Sequence, residues 1–138
     1  MAELRRDRLL VAEYDPELAD ALSALLESAG FEVHTERLGT AALSYAAQEL
    51  PDLAILDVQL PDMNGYRLCR ELRSLCQYWI VPVLMLGETD LPVGEVHRFS
   101  HGADAYLTKS CEVQDVLRAV GFLLGLSELC QEVRGTPH

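Results

Sequence analysis

Long hydrophobic runs are missing from this sequence of 138 residues. No apolar run reaches the roughly 18 residues that a membrane-spanning helix needs. The first ten residues, MAELRRDRLL, turn charged instead of leading into the apolar core of a secretory signal. We therefore expect a cytoplasmic protein that does not insert into a membrane. The sequence also lacks a glycine-rich phosphate loop, a nucleophile elbow and a basic patch interleaved with aromatic residues. We expect that the chain is not an enzyme of the kinds that depend on such motifs.

Cysteine pairs of the CxxC type are also missing. The four cysteines are Cys69, Cys76, Cys111 and Cys130. A chain of this length can hold a hydrophobic core without disulfides or a structural metal. Reduced, partly buried thiols are therefore the expected state.

Positive charge is scarce. Acidic residues outnumber basic ones 22 to 11, which gives a formal net charge of −11. Because phosphate groups repel such a surface, we expect neither nucleic acid nor an anionic membrane to be a direct partner. Hydrophobic residues make up 49% of the chain, which is too many for a disordered segment, and the length is typical of one domain.

Two periodicities alternate along the chain. Short apolar segments predict five strands, near Leu9–Ala12, Phe31–Thr35, Leu53–Leu56, Val81–Leu86 and Ala105–Leu107. Apolar residues at helical spacing follow each strand, within Leu18–Ala29, Ala42–Leu50, Leu68–Cys76, Val93–His101 and Val113–Leu124. Continuous apolar strands separated by helices predict a parallel sheet that is buried on both faces.

Polar residues follow these strands at the edge where an open parallel sheet binds its ligands. They are Glu13, Tyr14 and Asp15 after the first strand, Asp57 after the third, Gly87 and Glu88 after the fourth, and Thr108, Lys109 and Ser110 after the fifth. Lys109 is the only lysine in the sequence, and a lysine ammonium is a compact charge that can reach a small oxyanion. The sequence therefore predicts carboxylates and one lysine at one edge of the sheet.

These residues lie in segments that resemble the receiver domain of response regulators, the CheY-like phosphoacceptor module of two-component signalling. The resemblance covers Arg8 to about Leu124, and it is carried by LLVAEYDPEL, DLAILDVQLPDMNGYRLCRELR, VPVLML and GADAYLTKS. It implies a flavodoxin-like, doubly wound α/β fold in a single domain, with five parallel strands in the order 2-1-3-4-5. Right-handed crossovers then predict helices 1 and 5 on one face of the sheet and helices 2, 3 and 4 on the other.

The resemblance also implies roles for individual residues. Asp57 falls on the phosphoacceptor, which takes a phosphoryl group from a sensor histidine kinase, a phosphotransfer protein or a small acyl phosphate. Lys109 falls on the lysine that contacts a phosphoryl oxygen. Glu13, Asp57 and the backbone carbonyl of Gln59 fall on ligands of Mg²⁺. Tyr106 falls on the switch aromatic of the fifth strand.

Four positions depart from the family pattern at this site. Tyr14 stands where a second acidic Mg²⁺ ligand is expected, and a neutral phenol is a poor ligand for that cation. Gly87 stands at the switch position, where a Thr or Ser would contact the phosphoryl group. Glu88 places a negative charge where a small residue keeps the pocket open, and Ser110 replaces a proline. We therefore expect Mg²⁺ to bind weakly or not at all.

Two functions are compatible with a site that keeps the phosphoacceptor and the lysine of the family but departs from it at four positions. The first is a receiver in phosphorelay signal transduction, in which a weakened Mg²⁺ site leaves Asp57 poorly phosphorylated. The second is an atypical pseudo-receiver that binds protein partners without phosphorylation, so that Asp57 and Lys109 form a residual ion pair. Asp15 is interpreted as a helix cap and Tyr14 as a side chain that plugs the pocket.

The surface of helix 4, strand 5 and helix 5 is the predicted contact for an output domain or protein partner. It carries the charged residues Arg98, Asp104, Asp115 and Arg118. Asp104 facing Arg118 of a second copy would give a two-fold homodimer, and an ordinary solvated face is the alternative. Residues 125–138 keep helical spacing. They are either a C-terminal helical extension of the receiver domain at 8–124 or a linker.

Overall fold

Strands and helices alternate along the chain. The computed structural model describes residues 6–75, 81–88 and 103–135, with side chains described as far as residue 125. Its elements are β1 (Arg8–Ala12), α1 (Pro16–Ser28), β2 (Glu32–Glu36), α2 (Gly39–Glu49), β3 (Leu53–Asp57), α3 (Gly65–Leu75), β4 (Val83–Gly87), β5 (Ala105–Thr108) and α4 (Val113–Gly135). The helix predicted over Val93–His101 lies outside the described residues, so α4 is the helix that the sequence predicts as the fifth.

The five strands form one sheet in the order β2-β1-β3-β4-β5, and every neighbouring pair is parallel. The central strands β3 and β4 are buried along their whole length, and β1 is buried beyond its first residue. The edge strand β2 is half polar and partly exposed. The predicted fold class and strand order are confirmed.

Apolar side chains cover both faces of the sheet. One face packs against α1 and α4 through a core that includes Leu9, Val11, Leu22, Leu26, Ile55, Leu84, Val116 and Val120. The other packs against α2 and α3 through a core that includes Leu10, Ala42, Ala46, Leu56, Leu68, Cys69, Leu72 and Met85. For the helices that the structure describes, the predicted division between the faces is correct. Cys69 and Cys111 are free thiols, as expected.

Helix α1 begins and ends as local chemistry predicts. Asp15 Oδ1 accepts a hydrogen bond from the Glu17 amide at 3.0 Å, and Pro16 opens the helix. Gly30, just beyond the end of the helix, has φ +101°, a left-handed conformation that glycine adopts without steric cost. The interpretation of Asp15 as a cap is confirmed.

Three positions that the helical spacing placed on buried faces are exposed instead. Leu50 caps α2 with φ 49° and is 56% exposed. Because the residue before a proline disfavours the helical conformation, the chain leaves α2 ahead of Pro51. Leu75, at the end of α3, is also exposed, and Ala29 is the exposed cap of α1.

Helix α4 runs without a break to Gly135, beyond the boundary at residue 124 that the sequence suggested. The division into a domain at 8–124 and an extension or linker at 125–138 stays a prediction. Within the described ranges, no helix combines the length and the apolar character needed to span a bilayer.

Candidate functional site

Lys109 lies between two buried carboxylates at the carboxyl end of the sheet. Its ammonium nitrogen donates to Asp57 Oδ2 at 2.7 Å and to Glu13 Oε2 at 3.2 Å. Asp57 is 2% exposed and Glu13 is 1% exposed. Since isolated buried charges are costly, the lysine stabilises both carboxylates. The predicted convergence of carboxylates and one lysine is present.

Backbone hydrogen bonds orient the two carboxylates, and strand pairing positions Lys109. Asp57 is the last residue of β3, and its Oδ1 accepts a hydrogen bond from the Gln59 amide at 2.9 Å. Glu13 directly follows β1, and its Oε2 accepts from the Asp15 amide at 3.1 Å. Lys109 directly follows β5, so its backbone position is set by the pairing of β5 with β4. The sheet therefore brings together residues that are far apart in sequence.

Burial and a neighbouring carboxylate perturb the titration of Glu13. Desolvation, followed by the neighbouring Asp57 carboxylate, raises the pKa of Glu13 to about 7. Burial alone would lower the pKa of Lys109, but its hydrogen bond to Asp57 and the charge of Glu13 outweigh that effect and raise it. Burial and the neighbouring carboxylate thus disfavour the charged form of Glu13, and the two carboxylates favour the charged form of Lys109.

A third carboxylate approaches the same lysine from the rim. Glu88 Oε1 lies 3.7 Å from Lys109 Nζ, and the Glu88 side chain is 58% exposed. With every group ionised, three carboxylates face one ammonium, and the cluster carries two excess negative charges. An exposed pair at this distance is weak, so Glu88 contributes mainly to the negative potential at the mouth of the site.

Tyr14 directly follows Glu13, and its side chain contacts Arg37. The Arg37 guanidinium carbon lies 4.5 Å from the centre of the Tyr14 ring. Arg37 Nε also donates to the Tyr14 carbonyl oxygen at 3.1 Å. The ring remains 48% exposed while it stacks with this cation, and its role as a plug of the pocket stays a prediction. Arg37 was not predicted as a site residue, since its place two residues before α2 carries no signal for this contact.

Gly87 and Tyr106 fit together at the end of β4. A Cβ placed on Gly87 with ideal geometry would lie 2.6 Å from Tyr106 Cζ and closer still to the phenolic oxygen. No side chain at position 87 is compatible with this ring position. The Tyr106 ring therefore occupies the space that a side chain at position 87 would need. The resemblance implied that Tyr106 is the switch aromatic, but it did not predict this contact with Gly87.

The loop that follows Asp57 is attached to α2 by Asp62. Its two carboxylate oxygens accept hydrogen bonds from the Gly39 and Thr40 amides at 2.8 and 2.9 Å. These amide bonds lower the pKa of Asp62. The residue at the start of α2, Leu38, offers no capping side chain, so Asp62 caps this helix from a distant part of the chain. Sequence reasoning did not single out Asp62, because a cap supplied from another loop leaves no mark beside the helix that it caps.

Ser110, the fourth departure, lies beside the lysine on the exposed edge. Its hydroxyl pairs with the Thr108 hydroxyl at 2.7 Å. In the described part of the chain every peptide bond is trans, including the one between Lys109 and Ser110.

The described charged side chains of the predicted partner surface, those of Asp104, Asp115 and Arg118, have contacts within the chain. Asp104 Oδ2 accepts from the Val83 amide at 2.8 Å and from Arg73 Nη2 at 3.0 Å. Arg118 donates to Asp115 at 2.7 Å, one turn away on α4. Arg98 lies outside the described residues. A homodimer through Asp104 and Arg118 stays a prediction, and it would compete with these contacts.

The fold and this site define a response regulator receiver domain, and comparison with known proteins agrees. The family model described as "Response regulator receiver domain" matches residues 9–121. The chain belongs to this family, whose members are signalling modules.

Two curated relatives illustrate the similarity. The DNA-binding dual master transcriptional regulator RpaA of Synechocystis sp. is 37% identical over 117 residues, which cover 85% of this chain and 48% of RpaA. The alkaline phosphatase synthesis transcriptional regulatory protein PhoP of Bacillus subtilis is 35% identical over 88% of this chain and 50% of PhoP. The chain thus spans about half the length of these relatives.

Among solved structures, the BeF3-activated N-terminal receiver domain of Klebsiella pneumoniae RstA is 30% identical, with a TM-score of 0.77 over 86% of this chain and 98% of that one. The chemotaxis protein CheY4 of Vibrio cholerae is 27% identical, with a TM-score of 0.80 over 86% of this chain and 99% of that one. Both likenesses extend over nearly the whole of the solved chains.

Receiver domains bind Mg²⁺ at the phosphorylation site, and the residues present here offer part of that site. Glu13 Oε1 is buried and has no hydrogen-bond partner among the described residues, and a buried carboxylate oxygen of this kind is a suitable ligand for a cation. Carboxylate and carbonyl oxygens are the ligands that Mg²⁺ prefers. Within the described ranges, no group of three or more acidic, histidine or cysteine side chains forms a metal-binding cluster. The donor types of Glu13 and Asp57 fit Mg²⁺.

Proposed function

We propose that this chain is a phosphorelay receiver in which Asp57 accepts a phosphoryl group from a sensor histidine kinase or a phosphotransfer protein. The observation that carries the proposal is the buried ion pair of Asp57 with Lys109 at 2.7 Å. This arrangement puts a nucleophilic carboxylate beside a cation that can contact a transferred phosphoryl oxygen.

The phosphoryl transfer follows from the positions of these groups. An oxygen of Asp57 forms a bond to phosphorus while the bond from phosphorus to the donor's imidazole nitrogen, or to an acyl oxygen, breaks. The bonding electrons leave with the donor. The Lys109 ammonium holds a phosphoryl oxygen, and the Gln59 amide keeps the carboxylate in place. Mg²⁺, when bound by Glu13, Asp57 and the Gln59 carbonyl, would supply positive charge against the phosphoryl oxygens.

The metal site is proposed to be weak because a charged ligand is missing. Tyr14 occupies the position of the second acid, and its ring stacks on Arg37. Loss of one charged ligand from a hard-cation site weakens binding by more than about tenfold. We expect a dissociation constant for Mg²⁺ in roughly the millimolar range or above.

A specific observation favours the pseudo-receiver as a second candidate function. Glu88 approaches Lys109 to 3.7 Å, so a carboxylate of the chain itself already faces the cation that a phosphoryl group would contact. Such a site would hold one conformation without phosphate and bind its protein partners constitutively. The two candidates differ in whether Asp57 is ever phosphorylated.

Acetyl phosphate labelling separates the two candidates. The protein is incubated with acetyl phosphate and Mg²⁺, and peptide mass spectrometry measures phosphoryl incorporation at Asp57, with Asp57→Asn as the blank. We expect faint labelling of the parent and clear labelling of Tyr14→Asp, because the new carboxylate restores the missing metal ligand. Strong Mg²⁺-dependent labelling of the parent would contradict the weakened site. Absence of labelling in both proteins would favour the pseudo-receiver.

The proposed protein partners follow from the family. Response regulators interact with histidine kinases or phosphotransfer proteins, and we propose an output domain or partner protein on the surface around β5 and α4. RpaA is DNA-binding by name, but this chain spans only half of it. The net charge of −11 supports a domain that does not itself contact nucleic acid, and we propose that this domain is cytoplasmic.

A further inference from the structure

We propose that two copies of this chain associate through the C-terminal part of α4. The contact is an apolar stripe of four residues, which are Phe122, Leu126, Leu129 and Val133. The association does not depend on phosphorylation of Asp57, so it holds or fails independently of the proposed function. It also uses a surface other than the charged pair of Asp104 and Arg118.

Phe122 lies on the side of α4 that faces away from the sheet. Val116 and Val120 are buried in the core that α4 shares with α1. Phe122 follows Val120 by two residues, which is about 200° around a helix, and it is 59% exposed. Apart from adjoining residues of the helix, no described atom lies within 4 Å of an ideal Cβ on Gly121 or Gly125. The helix surface around Phe122 is therefore open to a partner.

This side of α4 changes from charged to apolar where the helix leaves the domain. Asp115 and Arg118, two turns and one turn before Phe122, form a surface ion pair at 2.7 Å. The family model ends at residue 121, whereas α4 continues to Gly135, about four turns further. In those turns the residues at the corresponding helical positions are apolar. A charged face is stable in water, whereas an apolar stripe of this length favours burial against a partner.

The spacing of the stripe indicates that the partner is another helix. Its residues recur at intervals of four, three and four, which is the seven-residue repeat of a coiled coil. Such a seam is narrower than the apolar face with which a helix packs on a globular core. Most residues between the stripe positions are polar, among them Ser127, Glu128, Gln131 and Glu132. Because two copies carry the same repeat, one two-fold axis buries both stripes together.

Net charge gives this association a characteristic dependence on salt. Each copy carries a formal charge of −11, so two copies repel each other at low ionic strength. Salt screens that repulsion and leaves the apolar contact intact. Association through the stripe should therefore strengthen as salt rises. A dimer held by Asp104 and Arg118 would weaken instead, because salt screens the attraction between them.

Analytical ultracentrifugation of the full chain over a range of concentrations tests the proposal. We expect the parent to dimerise reversibly with a dissociation constant in the micromolar range, since a helical pair of about two heptads is short. Leu129→Glu should weaken the dimer by at least about tenfold, because the symmetry removes the leucine from both copies. Gln131→Glu is the matched control, since it adds the same charge off the stripe and should dimerise as the parent does.

A second variant and a stability measurement separate association from folding. Phe122→Ser removes the described end of the stripe and should weaken the dimer as Leu129→Glu does. Urea unfolding, at a protein concentration too low for dimerisation, should give Leu129→Glu and Gln131→Glu the midpoint of the parent, because both positions lie beyond the family domain.

Three results would overturn the inference. The first is a parent that stays monomeric at every concentration and salt. The second is equal dimerisation of Leu129→Glu and Gln131→Glu, which would place the contact elsewhere. The third is a dimer that weakens as salt rises, which would point to a charged surface. Loss of the dimer in Leu129→Glu and Phe122→Ser, with its retention in Gln131→Glu, would support the stripe.

Discussion

Replacement of Lys109 by methionine should destabilise the domain in a way that depends on pH. Lys109 is 16% exposed and lies between carboxylates that are 1% and 2% exposed. Methionine keeps much of the side-chain volume but leaves Glu13 and Asp57 without their cation. Removal of one partner from a buried ion pair costs about 3–5 kcal/mol. We expect a loss of that size in the free energy of unfolding at pH 8.

The sign of the pH dependence follows from the pKa of Glu13. Its folded-state pKa, about 7 against an ordinary value of 4.5, rises further when Lys109 no longer stabilises the charged form. At pH values below the pKa that Glu13 has in the unfolded chain, its carboxyl is protonated in both the folded and the unfolded protein. As the pH rises from that pKa to the pKa of Glu13 in the folded protein, the folded state loses stability. The cost of Lys109→Met at pH 5 should therefore be roughly half of that at pH 8, or less.

Urea unfolding without Mg²⁺, followed by circular dichroism, measures these differences at both pH values. Arg118→Met is the matched control, since Arg118 pairs with Asp115 on the surface and such a pair contributes about 1 kcal/mol or less. Adding Glu13→Gln to Lys109→Met should recover stability at pH 8, because one unpaired charge is removed. A loss at pH 8 no larger than that of the control, or the same loss at both pH values, would refute the reasoning.

Two further predictions concern packing near the site. Asp62→Ala should lower the free energy of unfolding by about 1 kcal/mol, because the Gly39 and Thr40 amides lose their cap, and a midpoint in urea equal to that of the parent would argue against this cap. Gly87→Ala should cost about 1–3 kcal/mol through its clash with Tyr106, and most of that cost should vanish in a Tyr106→Ala background. Additive effects in this double-mutant cycle would show that the two positions are not coupled.

The fold could be predicted from sequence because periodicity encodes which residues are buried. The continuous apolar runs of β3 and β4 are buried on both faces, and such runs separated by helices fit a parallel sheet with helices on both sides. The residues that follow the strands can be assigned to a common site nearly as well, since parallel strands bring their carboxyl ends to one edge of the sheet. This is why Asp57 and Lys109, 52 residues apart, were expected to meet.

Side-chain packing at the rim could not be predicted in the same way. The stacking of the Tyr14 ring depends on Arg37, which lies 23 residues away. The exposure of Leu50 depends on the left-handed turn before Pro51, which outweighs the helical spacing of its apolar side chain. These outcomes depend on specific contacts and local turns, and a periodic pattern of hydrophobicity does not encode them.

Two of the departures from the family pattern, Gly87 and Tyr14, are in contact with side chains that fit them. The missing side chain at Gly87 is matched by the Tyr106 ring that fills its space, and the neutral Tyr14 is matched by the Arg37 cation over its ring. Substitutions in contact with each other have coupled effects on stability and binding. A return to the family residue at position 87 alone should therefore clash with the ring instead of restoring the switch. Residues at the site should therefore be substituted in pairs. Tyr106 should be replaced by a smaller residue in the same protein in which Gly87 is replaced by a residue with a hydroxyl.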